Sequence, residues 1–348
     1  MLVLGIESTC DETACAVVRD GRFILSNVIA SQIDLHQEYG GVVPELACRR
    51  HIDVIMPVLD QALSQAQLQL NDIDLIAAAY GPGLIGALLI GLSTAKALSL
   101  ALHKPFIGIN HVEAHLYAAL MSHEAPIQFP CLGVVLSGGH TVLVLMKEVG
   151  VYELISQTVD DAIGEAFDKV AKLLGLPYPG GPQIEQLALR GNAHRHSFKA
   201  GQVKGRPLDF SFSGLKTAVL YALKGQYPQD RLPLQVSEQD KCDFAASFQR
   251  AALEDIVKKT LIAAAQHETK MIVLGGGVTN NQHLRQLFAK EGEDKHQFVW
   301  PSLGLSLDNA AMIAGLGYHR YQIKGQGDSI DLEPLVRIPF ASHSRSEF

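Results

Sequence analysis

The five cysteines of this chain, Cys10, Cys15, Cys48, Cys131 and Cys242, are odd in number and include no C-x-x-C pair. That spacing argues against a disulfide framework or a cysteine zinc site and suits the reduced thiols of a cytoplasmic protein. No leader is expected either. The opening MLVLGIESTCDET has no basic n-region and an apolar run too short for a signal peptide, so the chain is expected to stay in the cytoplasm. The most membrane-like stretch, Gly83 to Leu102, holds Lys96 near its middle with Ser93, Thr94 and Ser99 around it, and reads as a core helix. No membrane partner is expected. Positive charge is scarce too, and a net charge of -7 argues against binding nucleic acid by bulk electrostatics. The local exception is Arg190 to Arg206, with five Lys or Arg, His194 and His196, and no acid. Such a stretch reads either as a footprint for a phosphate backbone or as a solvated basic loop.

What the chain does have is an internal echo. Gly5 to Thr13 (GIESTCDET) recurs in layout at Gly133 to Thr141 (GVVLSGGHT): an apolar strand, a tight loop of small and hydroxyl residues, then a second apolar strand. The first copy turns near Asp20-Gly21 and re-enters at Phe23; the second turns near Gly150 and re-enters at Val151. Each reads as a hairpin feeding a third strand. Two such loops, rich in backbone N–H groups and hydroxyls, suit the grip of two lobes on the phosphates of one nucleotide.

Helical periodicity follows at His51 to Gln65, Leu84 to Leu102, His111 to Met121, Asp161 to Leu174 and Ala245 to Gln266, with strand-like runs at Leu75 to Ala79, Phe106 to Ile109 and Met271 to Leu274. Hairpins first and strand–helix alternation afterwards make an α/β pattern with mixed sheets. The 348 residues, 47% of them hydrophobic, suffice for two lobes, expected as 1–128 and 129–325. A C-terminal segment is allowed to pack back on the first lobe, and a tail, 326–348, is expected to fray.

His111 and His115 stand four apart after Asn110, a good N-cap, so both imidazoles share one helix face. That spacing suits a metal pair and also serves surface or capping residues. The order is His-Val-Glu-Ala-His, which places Glu113 about 200° round the helix from His111 and denies a zinc-peptidase mechanism its base. A third ligand must come from elsewhere. Asp308, which opens an apolar helix from Ala310, is the best candidate, unless it only caps that helix. Two imidazoles and a carboxylate leave coordination positions open, as a catalytic zinc or iron requires. In MIVLGGGVTNNQHLR the glycines allow close approach to a base or ribose, and Thr279, Asn280 and Asn281 offer donors at a helix start. Asp161, Glu165 and Asp168, ahead of a rigid Pro-Gly-Gly turn, could hold ribose or substrate hydroxyls, or form a solvated stripe.

GIESTCDET, the Gly81-Pro82-Gly83 turn, HVEAH, LSGGHT, DDAIGEAFDK with YPGGP, DFSFSGLKT, GGGVTNN and LDNAAMIA occur here in the order and spacing of one family. The chain resembles, over almost its whole length, the TsaD/Gcp family of tRNA N6-adenosine threonylcarbamoyltransferases. The resemblance implies a duplicated actin-like ATPase (ASKHA, ribonuclease H-like) fold. It implies transfer of threonylcarbamoyl from threonylcarbamoyl-AMP to N6 of adenosine 37 in tRNAs reading codons that begin with A, with an AMP-type nucleotide in the cleft. One divalent ion per subunit, iron or zinc, then falls to His111, His115 and Asp308. Substrate contacts fall on Leu136, Ser137, Gly138, Gly139, His140, Asp168, Gly181 and Asn281. Asn280 and the Ser306-Leu307 pair depart from the family's usual Ala and Cys-Thr. Asp11 or Glu12, from their place in the first loop, are expected as the acid that orients the donor or accepts the N6 proton. The implied partners are tRNA, a shorter inactive relative of the same fold (TsaB-like), expected on the helix after Gly83, and a small P-loop ATPase (TsaE-like). The alternative activity is the metallopeptidase of an older family label.

Overall fold

A computed structural model describes residues 1–224 and 236–338. Its frame is two five-stranded mixed sheets with the same internal order. In the first, β1 (Leu2–Glu7), β2 (Glu12–Arg19) and β3 (Phe23–Ser31) run as an antiparallel meander, and β4 (Leu75–Gly81) and β5 (Phe106–Asn110) join parallel on the other side of β1. In the second, β6 (Cys131–Leu136), β7 (Thr141–Glu148) and β8 (Val151–Gln157) repeat the meander, and β9 (Met271–Gly275) and β10 (Gln297–Val299) join parallel beyond β6. The sequence echo is therefore a repeat of topology. Gly5 pairs with Ala16 on the central strand of one sheet, and Gly133 with Val144 on the central strand of the other.

The helices between them are α1 (Ile33–Gln37), α2 (Pro44–Ala66), α3 (Ile85–Leu102), α4 (His111–Ser122), α5 (Ile163–Leu173), α6 (Gly180–Ala188), α7 (Ser213–Lys224), α8 (Glu238–Gln266), α9 (Gln282–Gly292) and α10 (Ala310–Lys324). Three of these, α1, α6 and α7, lack a long periodic signature and were not expected, whereas α9 follows the helix start expected at Thr279 to Asn281. Helix α8 begins ahead of the expected Ala245 because Ser237 caps it, accepting from the Asp240 N–H. The expected α5 begins two residues late, at Ile163: Asp161 stays outside and binds Lys169. Helix α3 is long and apolar enough to cross a membrane. One face of it, with Ala87, Leu88, Leu92 and Ala95, is buried, and Leu92 and Ala95 join the core between the first sheet and α2.

Helix α4 positions the site. A helix apolar on all sides must be enclosed, and ten of its twelve residues are buried. Ala114, Tyr117, Ala118 and Met121 belong to the core that joins the first sheet to α10, while Val112, Leu116 and Ala119 pack with the second sheet. Both lobes thus clamp the helix that carries the two histidines. Helix α10 returns to the first sheet so closely that a Cβ on Gly5 would stand 2.3 Å from the Ala310 carbonyl oxygen.

The expected fraying beyond Gly325 does not hold for residues 326–338. Asp328 accepts from the Gly108 N–H, Lys96 Nζ donates to the Leu332 carbonyl, and the Leu335 N–H bonds the Tyr80 carbonyl. Polar composition concealed a strap laid along the first lobe. The rest of that tail, 339–348, lies outside the described residues.

Candidate metal centre and nucleotide cleft

Strand β5 ends at Asn110, whose side chain accepts from the Val112 and Glu113 N–H groups and starts α4 at the point that presents His111. His115 follows one turn on, its ring edge-on to that of His111 with centroids 4.7 Å apart. Asp308 reaches them from the loop before α10: its Oδ1 lies 3.5 Å from His111 Nε2 and 3.2 Å from His115 Nε2. One ligand atom from each of the three side chains falls within 4.8 Å of the others. Asp308 does not cap α10. Asn309 does that, accepting from the Met312 N–H at 3.0 Å, and so leaves the aspartate carboxylate to the histidines.

His111 is oriented from behind. Its Nδ1 lies 2.9 Å from Oε2 of Glu7, a fully buried carboxylate at the end of β1, whose Oε1 accepts from the Thr9 N–H. A proton held on Nδ1 by that carboxylate makes Nε2, on the Asp308 side, the nitrogen that would give up its proton to hold a metal. Of the ring nitrogens of His115, both buried, Nδ1 has no hydrogen bond and Nε2 has only the Asp308 oxygen 3.2 Å away, outside hydrogen-bond geometry. Such a nitrogen is costly unless something occupies its lone pair, so two imidazoles and one carboxylate fit a zinc or iron(II) ion. Burial disfavours the His111 cation, but the Glu7 and Asp308 carboxylates outweigh it and hold its pKa well above the usual range. Burial likewise opposes ionisation of Asp308, and the two histidines outweigh that and hold it well below the usual range. Glu113 faces Arg320 on α10, 3.9 Å away, and burial pushes its carboxyl up. It is no base for a peptidase.

The triad opens on a cleft of about 680 Å³ between the two echoed loops, lined among others by Asp11, His111, Ser137 to His140, Asp168 and Asp308. The Gly138 and Gly139 N–H groups donate to no protein acceptor among the described residues, and a Cβ on either would meet open space. The turn is held instead by the Ser137 Oγ accepting from the His140 N–H at 3.1 Å and by the Ser137 N–H bonding the His140 carbonyl. Burial and then the nearby His111 and His115 push His140 down to about 4, so its ring is neutral at physiological pH. Opposite stands Asp168, accepting from the Gly180 N–H at 2.7 Å; burial pushes it up to about 6 against that bond. Gly181, with open space at its Cβ, follows in the same turn.

The two expected acids part company. Asp11 lies in the cleft, where the Tyr178 hydroxyl donates to its Oδ2 at 3.2 Å. Glu12 does not line it: its Oε1 accepts from Ser31 at 3.2 Å, and burial followed by the Asp11 charge pushes its carboxyl well up. Leu136 is buried at the end of β6, and Asn281 spends both ends of its amide, capping α9 and donating to Gln249. Reasoning from sequence missed Glu7, whose signal is an acid at the end of an otherwise apolar strand. It also missed Tyr178 and the Gly40–Pro44 stretch that lines the cleft. No local pattern announces that either would cross to the other lobe.

Comparison with known proteins gives the family. The family described as TsaD: tRNA N6-adenosine threonylcarbamoyltransferase matches residues 23–315. The tRNA N6-adenosine threonylcarbamoyltransferase of Protochlamydia amoebophila (strain UWE25) is 71% identical over 342 residues, covering 98% of this chain and 99% of that one. The protein of the same name from Symbiobacterium thermophilum is 49% identical over 335 residues, with 96% and 95% covered. Among solved structures, T. kodakarensis HypF is similar in fold alone, with a TM-score of 0.60 at 14% identity over 93% of this chain and 48% of that one. The duplicated two-lobed sheet order is that of the actin-like ATPase fold, and the chain belongs to the TsaD family of tRNA N6-adenosine threonylcarbamoyltransferases.

Proposed function

We propose that this chain transfers threonylcarbamoyl from threonylcarbamoyl-AMP to N6 of adenosine 37 in tRNAs reading ANN codons, with His111, His115 and Asp308 holding one iron or zinc ion. The observation that carries this reading is the meeting of α4, the α10 approach and the Ser137–His140 turn at one end of one cleft. A bound divalent ion supplies Lewis-acid stabilisation of negative charge on phosphate oxygens.

The remaining work belongs to the chain's own groups. The free Gly138 and Gly139 N–H groups form an anion-binding concavity for the adenylate phosphate. Asp168 and Gly181 take substrate hydroxyls. The adenine amino group attacks the carbamoyl carbon; the new N–C bond forms as the C–O bond to the phosphate breaks, and AMP leaves with the electron pair. Asp11, its carboxylate fixed by Tyr178, orients the donor and accepts the N6 proton. Glu12 faces Ser31 and supports the loop that carries Asp11. Much of the rate enhancement rests on holding N6 and the acyl carbon together.

The substrate base lies in a single-stranded loop and must be presented to the cleft rather than read in a duplex. For the shorter relative of the same fold, the supporting feature is the apolar surface of α2 and α3, where Ile52, Met56, Ile85, Leu89 and Leu100 are exposed. The P-loop ATPase rests on the family resemblance alone, and the cytoplasm is where such a set would work. The test is direct: threonylcarbamoyl-AMP and unmodified tRNA are given to wild type and Asp11→Asn with the partner proteins, and tRNA nucleosides are weighed by mass spectrometry. Modified adenosine in wild type and a deep loss in the variant support the reading; a variant as active as wild type removes Asp11 from it.

A further inference from the structure

The loop between α6 and α7, Leu189 to Phe212, carries the one cationic run of an acidic chain, and the cleft chemistry does not use it. Arg190, Arg195, Lys199, Lys204 and Arg206 are all exposed. Only Arg206 is spent on an acid, Asp209 at 2.9 Å; the other four form no ion pair among the described residues. The acids nearest them on α8 are committed elsewhere. Glu238 pairs with Lys241, Asp240 accepts from Ser237, and Asp243 accepts from the Asn192 N–H and from Gln239.

This loop is built rather than merely solvated. The Arg250 Nε donates to the Ala193 carbonyl at 2.8 Å, and the Ser247 hydroxyl accepts from the His196 N–H and donates to the Asn192 carbonyl. The His196 ring stacks on Phe244 with centroids 4.1 Å apart, and Phe198 is buried beneath the run. The backbone from Asn192 to Phe198 is thus fixed on α8, and the Gly201 N–H bonds the Ser211 carbonyl further along, while the cations point outward, which lowers the entropic cost of using them. Its far end is fastened to the cleft wall. Asp160 accepts from Ser211, from Ser213 and from the Phe212 N–H, and residues on either side of it bond Thr141, the neighbour of His140: the Thr158 N–H its carbonyl and the Ile163 N–H its hydroxyl.

We propose that this cationic rim, Arg195, Lys199 and Lys204 above all, takes the phosphate backbone of the substrate tRNA beside the adenosine held in the cleft. The proposal rests on the reading of tRNA as substrate and adds the surface that grips it. A protein partner would want an apolar centre, yet the one large apolar side chain exposed in the loop, Leu189, lies at its start, and between Arg195 and Arg206 there is none. Charge without apolar surface is what a sugar–phosphate backbone requires.

The experiment uses the full chain with its partner proteins and an unmodified tRNA transcript. Binding is measured across a salt series for wild type, K199E/K204E and K199R/K204R, with modified-nucleoside yield at saturating tRNA and thermal melting alongside. The rim predicts that K199E/K204E weakens binding about tenfold or more near 0.1 M salt and lowers the salt slope by about 1.5. Melting and the yield at saturating tRNA stay near wild type, and the arginine pair binds as wild type does. Unchanged affinity and slope overturn the proposal. So does lost turnover at saturating tRNA with affinity intact, which would make the rim a protein-docking surface. A wild type that binds tRNA through the rim but never modifies it would sink the transfer reading and leave the rim standing.

Discussion

Glu7 Oε2 accepts a hydrogen bond from Nδ1 of His111 at 2.9 Å, and both groups are buried, the glutamate 0% and the histidine 5% exposed. A buried carboxylate behind a metal-binding imidazole fixes its tautomer and raises its basicity. Glu7→Gln keeps the shape and removes the charge, so it is expected to weaken metal affinity about 10- to 100-fold. Chelator competition reads that loss, while the melting temperature of metal-free protein moves little. Equal affinities in the two proteins would reduce Glu7 to a packing residue.

Asp168 sets a pH dependence of stability. Burial raises its folded pKa to about 6 from an ordinary 3.8, so the fold favours the neutral acid. Its stabilising contribution is complete below about pH 4 and lost as pH rises through 6. Asp168→Asn keeps an acceptor for the Gly180 N–H and is never ionised. It is expected to be more stable than wild type at pH 8, by up to about 3 kcal/mol, and no more stable at pH 4. Melting curves at both pH values check this; a difference that ignores pH contradicts it.

Much of this was legible because the repeated hairpins and the HVEAH and LDNAA segments are local patterns: apolar alternation, a cap, an i,i+4 pair. The structure adds relations that no local pattern encodes. Asp308 could equally have been a cap, and only the placement of Asn309 as the cap releases it. Glu12 looked equivalent to Asp11, but β2 already begins at Glu12, whose side chain turns to Ser31 on β3, while Asp11 stays in the loop. The strap over 326–338 reads as a tail because its order comes from backbone bonds to distant partners such as Tyr80.

Two glycines separate fold from function. A Cβ at Gly5 would lie 2.3 Å from the Ala310 carbonyl oxygen and 2.8 Å from the Ala314 nitrogen, so Gly5→Ala must push α10 off the sheet. A loss of about 2 kcal/mol or more is expected. At Gly138 the added methyl has nothing within 4 Å and enters the cleft. Gly138→Ala should melt within about 0.5 kcal/mol of wild type while its KM for threonylcarbamoyl-AMP rises. Thermal melts and donor titrations check the pair; a destabilised Gly138→Ala with normal KM would contradict the assignment.

The convergence of His111, His115 and Asp308 is the core of the account, and Asp308→Ala tests it most directly. Metal content and the yield of threonylcarbamoyl-modified adenosine 37 are measured on the same preparations, supplied with threonine, bicarbonate, ATP and the partner proteins. The account predicts one divalent ion and full modification in wild type, and loss of both in a variant that still melts cooperatively. A variant that has lost the ion yet modifies tRNA as fully as wild type would contradict it.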